Sequence, residues 1–305
     1  MIVITGATGC GKTSLAIELA RRLHCHIISA DSRQIYRDIP VTTAAPTPQQ
    51  LAAAPHHLVG TLPIDAAYSA AQFVQDVHAL LPRLWQNSPY AIICGGSMMY
   101  LHALLHGIDD MPTISPEIRA QVLSQYQRHG LPYLLDQLAT LDPQYRATVD
   151  PANTRRIIHA VEVSLQAGRP YSSHLTGRRT APPLNAATFA LTMPRETLFE
   201  RINARVAQMV ADGMEQEARR MYPLRHLNAL NTVGFKEWFS HFDGILDRDT
   251  AISRIAKNTR VYAKKQLTWL ARAAFDVTPI DAYAAIPPTE QILRQLTLGI
   301  TRKAD

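Results

Sequence analysis

Ile2-Val3-Ile4-Thr5-Gly6-Ala7-Thr8-Gly9-Cys10-Gly11-Lys12-Thr13 stands at the start of the chain, and its reading decides the fold. Ile2 to Thr5 form a short apolar strand. Gly6-x-x-x-x-Gly11-Lys12-Thr13 follows as a loop, and Leu15, Leu19 and Leu23 then recur at the four-residue spacing of a helix. In such a loop the glycines let backbone N–H groups converge on an anion and the helix N-terminus adds its positive dipole end. Lys12 brings a point charge, and the Thr13 hydroxyl reaches Mg²⁺. The plainer alternative is a glycine turn capping a helix, but a strand before and a helix after favour a phosphate loop. Which phosphate it holds stays open, because kinases, NTPases and some transferases share the pattern.

Two further short apolar runs point to a buried parallel sheet: Ile27-Ile28-Ser29-Ala30 ending on Asp31, and Ala91-Ile92-Ile93-Cys94 ending on Gly95-Gly96. Phe73, Val77, Leu80, Leu81 and Leu84 predict a helix before the last of these, and 102–105 one after it. The first 110 residues therefore read as an α/β core of parallel strands flanked by helices. From Met111 the texture changes to helical periods (Ile118 to Tyr126, Leu131 to Leu141, Ile157 to Leu165), so 111–185 is predicted to be a helical insertion. The core is expected to resume over 186–305. There we place a strand at Ala187 to Thr192, one helical face from Leu198 to Met214 and a long helix from Thr250 to Ala273; Pro287-Pro288 and the tail give no clear element.

The 305 residues are 47% hydrophobic and 18% charged, which excludes a disordered chain and suggests about two domains. No run approaches the ~18 apolar residues of a membrane span and the first residues do not read as a signal peptide, so a cytoplasmic protein is expected. Cys10, Cys25 and Cys94 are odd in number and lack CxxC spacing, arguing for neither zinc nor a disulfide framework. Lysine occurs only at 12, 236, 257, 264, 265 and 303, so 31 − 6 = 25 of the bases are arginine, suited to forked phosphate contacts. Two stretches are markedly basic. One carries Arg155, Arg156, Arg169, Arg178 and Arg179 against Glu162; the other carries Arg254, Lys257, Arg260, Lys264, Lys265 and Arg272 against no acid. They read either as the walls of a polyanion groove or as ordinary solvated helix faces.

Asp31, at the carboxyl end of its strand, falls where ligands of open α/β sheets bind, close to the phosphate loop. It reads equally as a proton acceptor, a helix N-cap or a magnesium ligand. The strand at 91–94 ends in Gly-Gly where an NTPase would carry a metal-supporting Asp.

Seven ordered segments then carry a resemblance. They are Asp31-Ser32-Arg33-Gln34-Ile35-Tyr36; Pro55-His56-His57-Leu58; Tyr68-Ser69-Ala70-Ala71-x-Phe73; Gly95-Gly96-Ser97-x-x-Tyr100; Arg156 with Ala160-Val161-Glu162-Val163; Val233-Gly234-Phe235-Lys236-Glu237; and Thr259-Arg260-x-x-Ala263-Lys264-Lys265-Gln266-x-Thr268-Trp269. With the phosphate loop they are similar to the successive signatures of the tRNA dimethylallyltransferase (tRNA isopentenyltransferase) family, in order from about residue 2 to 272. The resemblance implies an enzyme that moves a dimethylallyl group from dimethylallyl diphosphate to the exocyclic amine of the adenosine 3′ of the anticodon in tRNA.

On that resemblance the diphosphate lies against Gly6, Ala7, Thr8, Gly9, Cys10, Gly11, Lys12 and Thr13 with Mg²⁺ on Thr13, and Arg201 of Arg201-Ile202-x-x-Arg205 is a further diphosphate contact. Lys12, Thr13, Ser97 and Arg119 stabilise the leaving group and Asp31 is the general base. Asp31, Ser32, Arg33, Gln34 and Ser97 hold the flipped-out adenosine and its neighbours, while Arg119, Arg155, Arg156, His159, Lys264 and Lys265 contact the anticodon stem-loop. Arg254, Lys257, Val261, Lys264 and Thr268 share one helical face. The implied protein is a cytoplasmic monomer with no membrane partner.

The chain departs from the family pattern at Ala45, where lysine is usual; at Gly60, where an acid is usual; at Ser97, replacing threonine; and at His159, replacing arginine. The paired loss at 45 and 60 reads as a lost ion pair or as reduced activity or altered preference. His56-His57 are expected to serve packing and hydrogen bonding rather than a metal. Cys10 lies where backbone does the work, though its oxidation or alkylation would block the site. Trp238 and Trp269 are expected to anchor the core. Three competing functions remain: a prenyltransferase on free adenine nucleotides, a small-molecule kinase, and a tRNA-binding paralogue whose chemistry has decayed.

Overall fold

The computed structural model describes residues 1–176, 184–272 and 276–301; Arg178 and Arg179 of the first basic stretch lie outside the described residues. In chain order the elements are β1 (Ile2–Thr5), α1 (Lys12–Arg22), β2 (Ile27–Ser29), α2 (Pro48–Ala53), β3 (His56–His57), α3 (Ala70–Leu84), β4 (Ile92–Cys94) and α4 (Met98–His106). Then come α5 (Pro116–Leu141), α6 (Pro143–Thr148) and α7 (Thr154–Ala167). The last group is β5 (Ala187–Thr192), α8 (Arg195–Ala211), α9 (Met214–Met221), α10 (Phe235–Phe242), α11 (Arg248–Ala271), β6 (Thr278–Asp281) and α12 (Pro288–Thr301). The chain divides into two compact units, Met1–Leu105 with Leu184–Asp305, and His106–Pro183.

The first unit is the expected α/β core. Its six strands are all parallel in the order β3-β2-β4-β1-β5-β6, with Ile2 level with Ile92 on one side and Ala187 on the other. All four β1 residues are buried, because helices cover both faces of such a sheet and leave no solvated side to alternate with. A second core gathers around Trp238 and Phe235, both fully buried, with Met214, Leu230 and Ile255. Trp238 is thus the anchor expected, whereas Trp269 is only half-buried.

Several of the ordered motifs turn out to build this unit rather than the site. Gly234 has φ 101°, and its N–H donates to the buried Glu237 carboxylate at 2.7 Å, which also accepts from Asn258. Ser69 caps α3 through the Gln72 N–H, and Phe73 stacks on Tyr100 at 4.6 Å between ring centroids. Glu217, fully buried, accepts the Val41 and Thr42 N–H groups and pins the loop that follows Asp31.

Two expectations are corrected. The single helical face from Leu198 to Met214 is broken: α8 ends at Ala211, Gly213 adopts a left-handed φ of 98°, and Met214 begins α9. The C-terminal stretch is not featureless, since β6 pairs with β5 at the sheet edge, where the missing N–H of Pro279 is tolerated, and α12 packs near it.

At the other edge, His57 of β3 places its Nε2 2.9 Å from His26 Nδ1, with the rings stacked 5.2 Å apart, so the His56-His57 pair serves hydrogen bonding. Burial, then the charges of His26, Arg83 and His56, holds His57 below the usual histidine range; burial also lowers His56, against its hydrogen bond to the Ala54 carbonyl. The unfolded chain therefore takes up protons on these rings first, near pH ~6.5, and stability falls as pH drops below that value. Denaturant midpoints measured between about pH 5 and 7 are expected to rise with pH, with a shallower rise in His57→Phe; an identical slope in the variant would contradict the assignment.

In the second unit, α5 is broken at Gly130 (φ 77°, ψ −176°), so two helical segments meet there. Val122, Leu134 and Leu138 from α5 pack on Ile157, Ala160 and Val161 from α7, all fully buried. Asp142, 1% exposed, ties the unit together by accepting from Tyr145 N and from both the N–H and hydroxyl of Ser172.

Candidate active site

A cleft opens at the carboxyl edge of the first unit's sheet, between the loops that follow β1, β2 and β4, the position expected for ligands of open α/β sheets. The first wall is the loop from Gly6 to Thr13. Gly6 has φ 141°, and a Cβ there would stand 2.8 Å from the Leu191 carbonyl oxygen, so only glycine lets β5 approach the start of the loop. Lys12 and Thr13, at the start of α1, both line the cleft, with Lys12 Nζ donating to the Ala7 carbonyl at 2.9 Å. Cys10 is 3% exposed and packs into the core beneath the loop, which removes the expectation that alkylation there would block the site. Cys94 also borders the cleft, and burial pushes its thiol up to about 12.

The second wall follows β2. Asp31 faces the cleft, and its Oδ1 accepts the N–H groups of Arg33 at 2.9 Å and Gln34 at 3.3 Å. Asp31 therefore caps a turn rather than a helix N-terminus while presenting a carboxylate to the cleft. Gln34 also lines the cleft, but its amide donates to the carbonyls of Thr43 and Ala44 and its Oε1 accepts from Ser29, which holds the 43–46 segment in place. The Ser97 hydroxyl oxygen accepts the Ser32 N–H at 2.8 Å, so Ser97 fixes the residue next to Asp31. The side chains of Ser32 and Arg33 are half-buried.

Helices from the second half of the chain close the cleft. From α8, Arg201 Nε donates to the Gly9 carbonyl at 3.0 Å on the exposed side, while Arg205 reaches the Thr8 hydroxyl and the Ala44 carbonyl and lines the cleft itself. Burial disfavours the charge on Arg205, and the nearby Asp31 carboxylate restores part of it. Sequence reasoning named Arg201 and passed over Arg205, though the two stand four residues apart on one face. Two α11 residues were also passed over. Tyr262 lines the cleft, its hydroxyl pushed up to about 12 by burial and by Asp31 against the pull of Arg33. Gln266 is 3% exposed and bridges Thr8 and Gly96. On the outer face of α11, Arg254, Lys257, Lys264 and Lys265 are exposed together, with Lys264 Nζ 5.6 Å from the Phe199 ring centroid.

The remaining candidates belong to the helical unit. Arg119 on α5 is exposed, with Nε 3.8 Å from the Oε1 of buried Glu162. On α7, Arg155, Arg156 and His159 share an exposed face at three- and four-residue spacing, and His159 meets the Tyr171 ring edge-on at 5.8 Å. Ala45 donates its N–H to the Pro40 carbonyl, and Gly60, in a left-handed turn with φ 59°, donates to the Gln34 carbonyl.

The cleft is thus lined by Lys12 and Thr13 at the N-terminus of α1, by Arg205 and by the Asp31 carboxylate. Such a set of groups has the chemistry to hold a polyanion and to take a proton at Asp31. Thr13 and Asp31 offer hydroxyl and carboxylate oxygens, the hard donors that suit Mg²⁺, whereas no group of three or more His, Cys, Asp or Glu side chains suited to a metal occurs among the described residues. None of the described helices is long and apolar enough to cross a membrane.

Residues 34–273 match the family model described as IPP transferase. Over 272 residues the chain is 46% identical to tRNA dimethylallyltransferase 2 of Parabacteroides distasonis, covering 89% of this chain and 91% of the relative. It is 48% identical, with the same coverage, to tRNA dimethylallyltransferase 2 of Porphyromonas gingivalis. Among solved structures, the full-length tRNA isopentenylpyrophosphate transferase of Bacillus halodurans superposes with a TM-score of 0.72 at 30% identity, covering 99% of this chain and 97% of that one.

Proposed function

Because the chain belongs to the IPP transferase family, we propose that it transfers a dimethylallyl group from dimethylallyl diphosphate to the exocyclic amine of the adenosine 3′ of the anticodon in tRNA, releasing diphosphate. The observation that supports this chemistry best is the presence of Lys12, Thr13, Arg205 and Asp31 in one cleft. In the reaction the allylic C–O bond breaks and an N–C bond forms at the amine. The electron pair of the broken bond leaves on diphosphate, and the amine proton passes to the Asp31 carboxylate. The phosphate loop, Lys12 and Arg205 stabilise the leaving group as its charge grows. Thr13 is the residue to hold Mg²⁺, which would neutralise part of that charge when bound. The exocyclic amine is a weak nucleophile, so placing it between carboxylate and electrophile contributes more than any shift in basicity.

A stacked adenine cannot enter the cleft, so the base must be flipped out of the anticodon loop. Ser32, Arg33 and Gln34, in the turn capped by Asp31, are the residues proposed to receive it. The exposed Arg155, Arg156 and His159 face and the exposed basic face of α11 supply RNA contacts, and Arg119 is the additional cation of the helical unit. The reading takes the enzyme as a monomer working in the cytoplasm. Replacing Lys264 and Lys265 together by alanine is expected to lower the slope of log affinity against log salt by about 2 and to weaken binding alike across RNA sequences. An unchanged slope would remove α11 from the interface.

The direct test supplies labelled dimethylallyl diphosphate, with and without Mg²⁺, to an anticodon stem-loop RNA and separately to adenosine monophosphate. Label in the RNA is expected. Label in the mononucleotide alone would favour the free-nucleotide enzyme, ATP-dependent phosphoryl transfer a kinase, and tight RNA binding without product a decayed paralogue.

A further inference from the structure

Gln34, in the turn capped by Asp31, commits every polar group it has to the wall of the cleft. Its N–H donates to Asp31 Oδ1 at 3.3 Å, and its carbonyl accepts the Gly60 N–H at 2.8 Å. The side-chain Nε2 donates to the carbonyls of Thr43 at 3.3 Å and Ala44 at 3.1 Å, while Oε1 accepts from the Ser29 hydroxyl at 3.3 Å. Two carbonyls on one side admit only the NH₂ end of the amide, so its orientation is fixed and both of its donors are used. Gln34 thus borders a base placed beside Asp31 without a donor left to read it. The Ala44 carbonyl takes a second partner, Arg205 Nη2, at 3.3 Å, and Nη1 of the same guanidinium reaches the Thr8 hydroxyl at 3.4 Å. Ala44 itself has φ 45°, a left-handed conformation that a non-glycine residue keeps only where its surroundings hold it. Hydrogen bonds therefore run without a gap from Asp31 through Gln34 and the Ala44 carbonyl to Arg205 and the phosphate loop. The two ends of this chain carry opposite charges and line one cleft, and Arg205 feels the Asp31 carboxylate, yet they form no ion pair among the described residues.

We propose that Gln34 is a positioning residue that holds the Asp31 carboxylate and the Arg205 guanidinium apart, so that each keeps its free side for substrate. The inference rests on the reading above, in which Asp31 takes the amine proton and Arg205 stabilises the departing diphosphate. A carboxylate and a guanidinium facing one cleft attract each other. Closed on each other as a forked pair, they would leave the guanidinium fewer N–H groups for an anion and the carboxylate less able to take a proton. The Gln34 amide prevents this by fixing the Ala44 carbonyl that anchors Nη2, while its backbone N–H anchors Oδ1.

The test measures binding of inorganic pyrophosphate, in Mg²⁺ buffer, to the full chain as wild type, Gln34→Met, Asp31→Asn and the double variant. Methionine keeps the length of the side chain and loses the amide's hydrogen bonds. Alone it is expected to weaken pyrophosphate binding about tenfold, because the released guanidinium turns to Asp31. In the Asp31→Asn background there is no carboxylate to turn to, and the further loss is expected to stay below about twofold. Equal losses in the two backgrounds would make the amide a packing group and overturn the proposal, as would an unchanged affinity in Gln34→Met. Affinity for the anticodon stem-loop should stay within about twofold in Gln34→Met, and a loss of about tenfold there would instead make the amide a reader of the base. Should Gln34→Met fail to fold, Ser29→Ala removes one bond of the amide alone. A smaller loss, about threefold, is then expected in the presence of Asp31 and none in Asp31→Asn, with equal losses again overturning the proposal. A wild type that transfers no prenyl group to the stem-loop overturns the functional reading beneath it, whereas transfer with equal losses overturns the positioning role alone.

Discussion

Asp31→Asn is expected to lower the single-turnover rate of prenyl transfer by about 10²-fold or more while leaving RNA affinity within about twofold. The substitution separates the two roles seen in the structure. An asparagine Oδ1 can still accept the N–H groups of Arg33 and Gln34, so the turn beside the cleft survives, but no carboxylate remains to take the amine proton. Asp31→Ala removes both and should also lower stability, by about 1 kcal/mol for the lost turn bonds. A rate in Asp31→Asn close to that of the wild type would confine Asp31 to capping and reassign the proton.

The largest effect on stability is expected at Gly95. A Cβ there would lie 2.2 Å from the carbonyl oxygen of Ala30 and 2.4 Å from its carbonyl carbon. These are backbone atoms held from several sides: Ala30 N donates to Cys94 O at 2.8 Å, Ser97 N to Ala30 O at 3.2 Å, and Gly95 N to Ile4 O at 3.1 Å. Relief requires parting the ends of β2 and β4, which carry Asp31 and the Gly95-Gly96 turn. Gly95→Ala should therefore cost about 3 kcal/mol or more in denaturant unfolding and sharply reduce soluble protein. Gly96→Ala is the informative contrast, because the obstructing atom is the Gln266 amide, a side chain that can move. It should cost less stability while impairing the link from α11 to the phosphate loop. Equal unfolding midpoints for Gly95→Ala and the wild type would contradict the packing described at the sheet edge.

The parts of the fold legible in the sequence are those whose signals are local. β1, its loop and α1 lie within one continuous stretch, and the strand ending at Asp31 is apolar throughout because both sheet faces are covered. β6 was hidden by its brevity and by Pro279, which only an edge strand tolerates. The break between α8 and α9 was signalled by Gly213, but the apolar period carried across it.

The site divides the same way. Lys12, Thr13 and Asp31 carried their meaning in neighbouring residues, whereas Arg205, Tyr262 and Gln266 acquire theirs only when α8 and α11 pack against loops formed far earlier in the chain. Which of Arg201 and Arg205 enters the cleft depends on the approach of α8, and a repeat of four residues cannot distinguish them. Motif agreement is also not the same as site membership. Gly234 and Glu237 belong to a turn of the second core, and Ser69 with Phe73 to the start and packing of α3, yet both segments stood beside the phosphate loop as signatures of equal weight.

The central claim is that the cleft joins a prenyl donor held by its diphosphate to one exocyclic amine of an anticodon loop. Its most direct measurement compares two stem-loop RNAs identical except at the position 3′ of the anticodon, one with adenosine and one with the purine nucleoside lacking the exocyclic amine. Labelled dimethylallyl diphosphate is the donor, and the RNA is digested to locate the label. The account predicts label on that adenosine alone and none in the amine-free RNA, which should still bind with affinity within a few-fold. Label of similar yield in both RNAs, or label placed elsewhere in the loop, would contradict it.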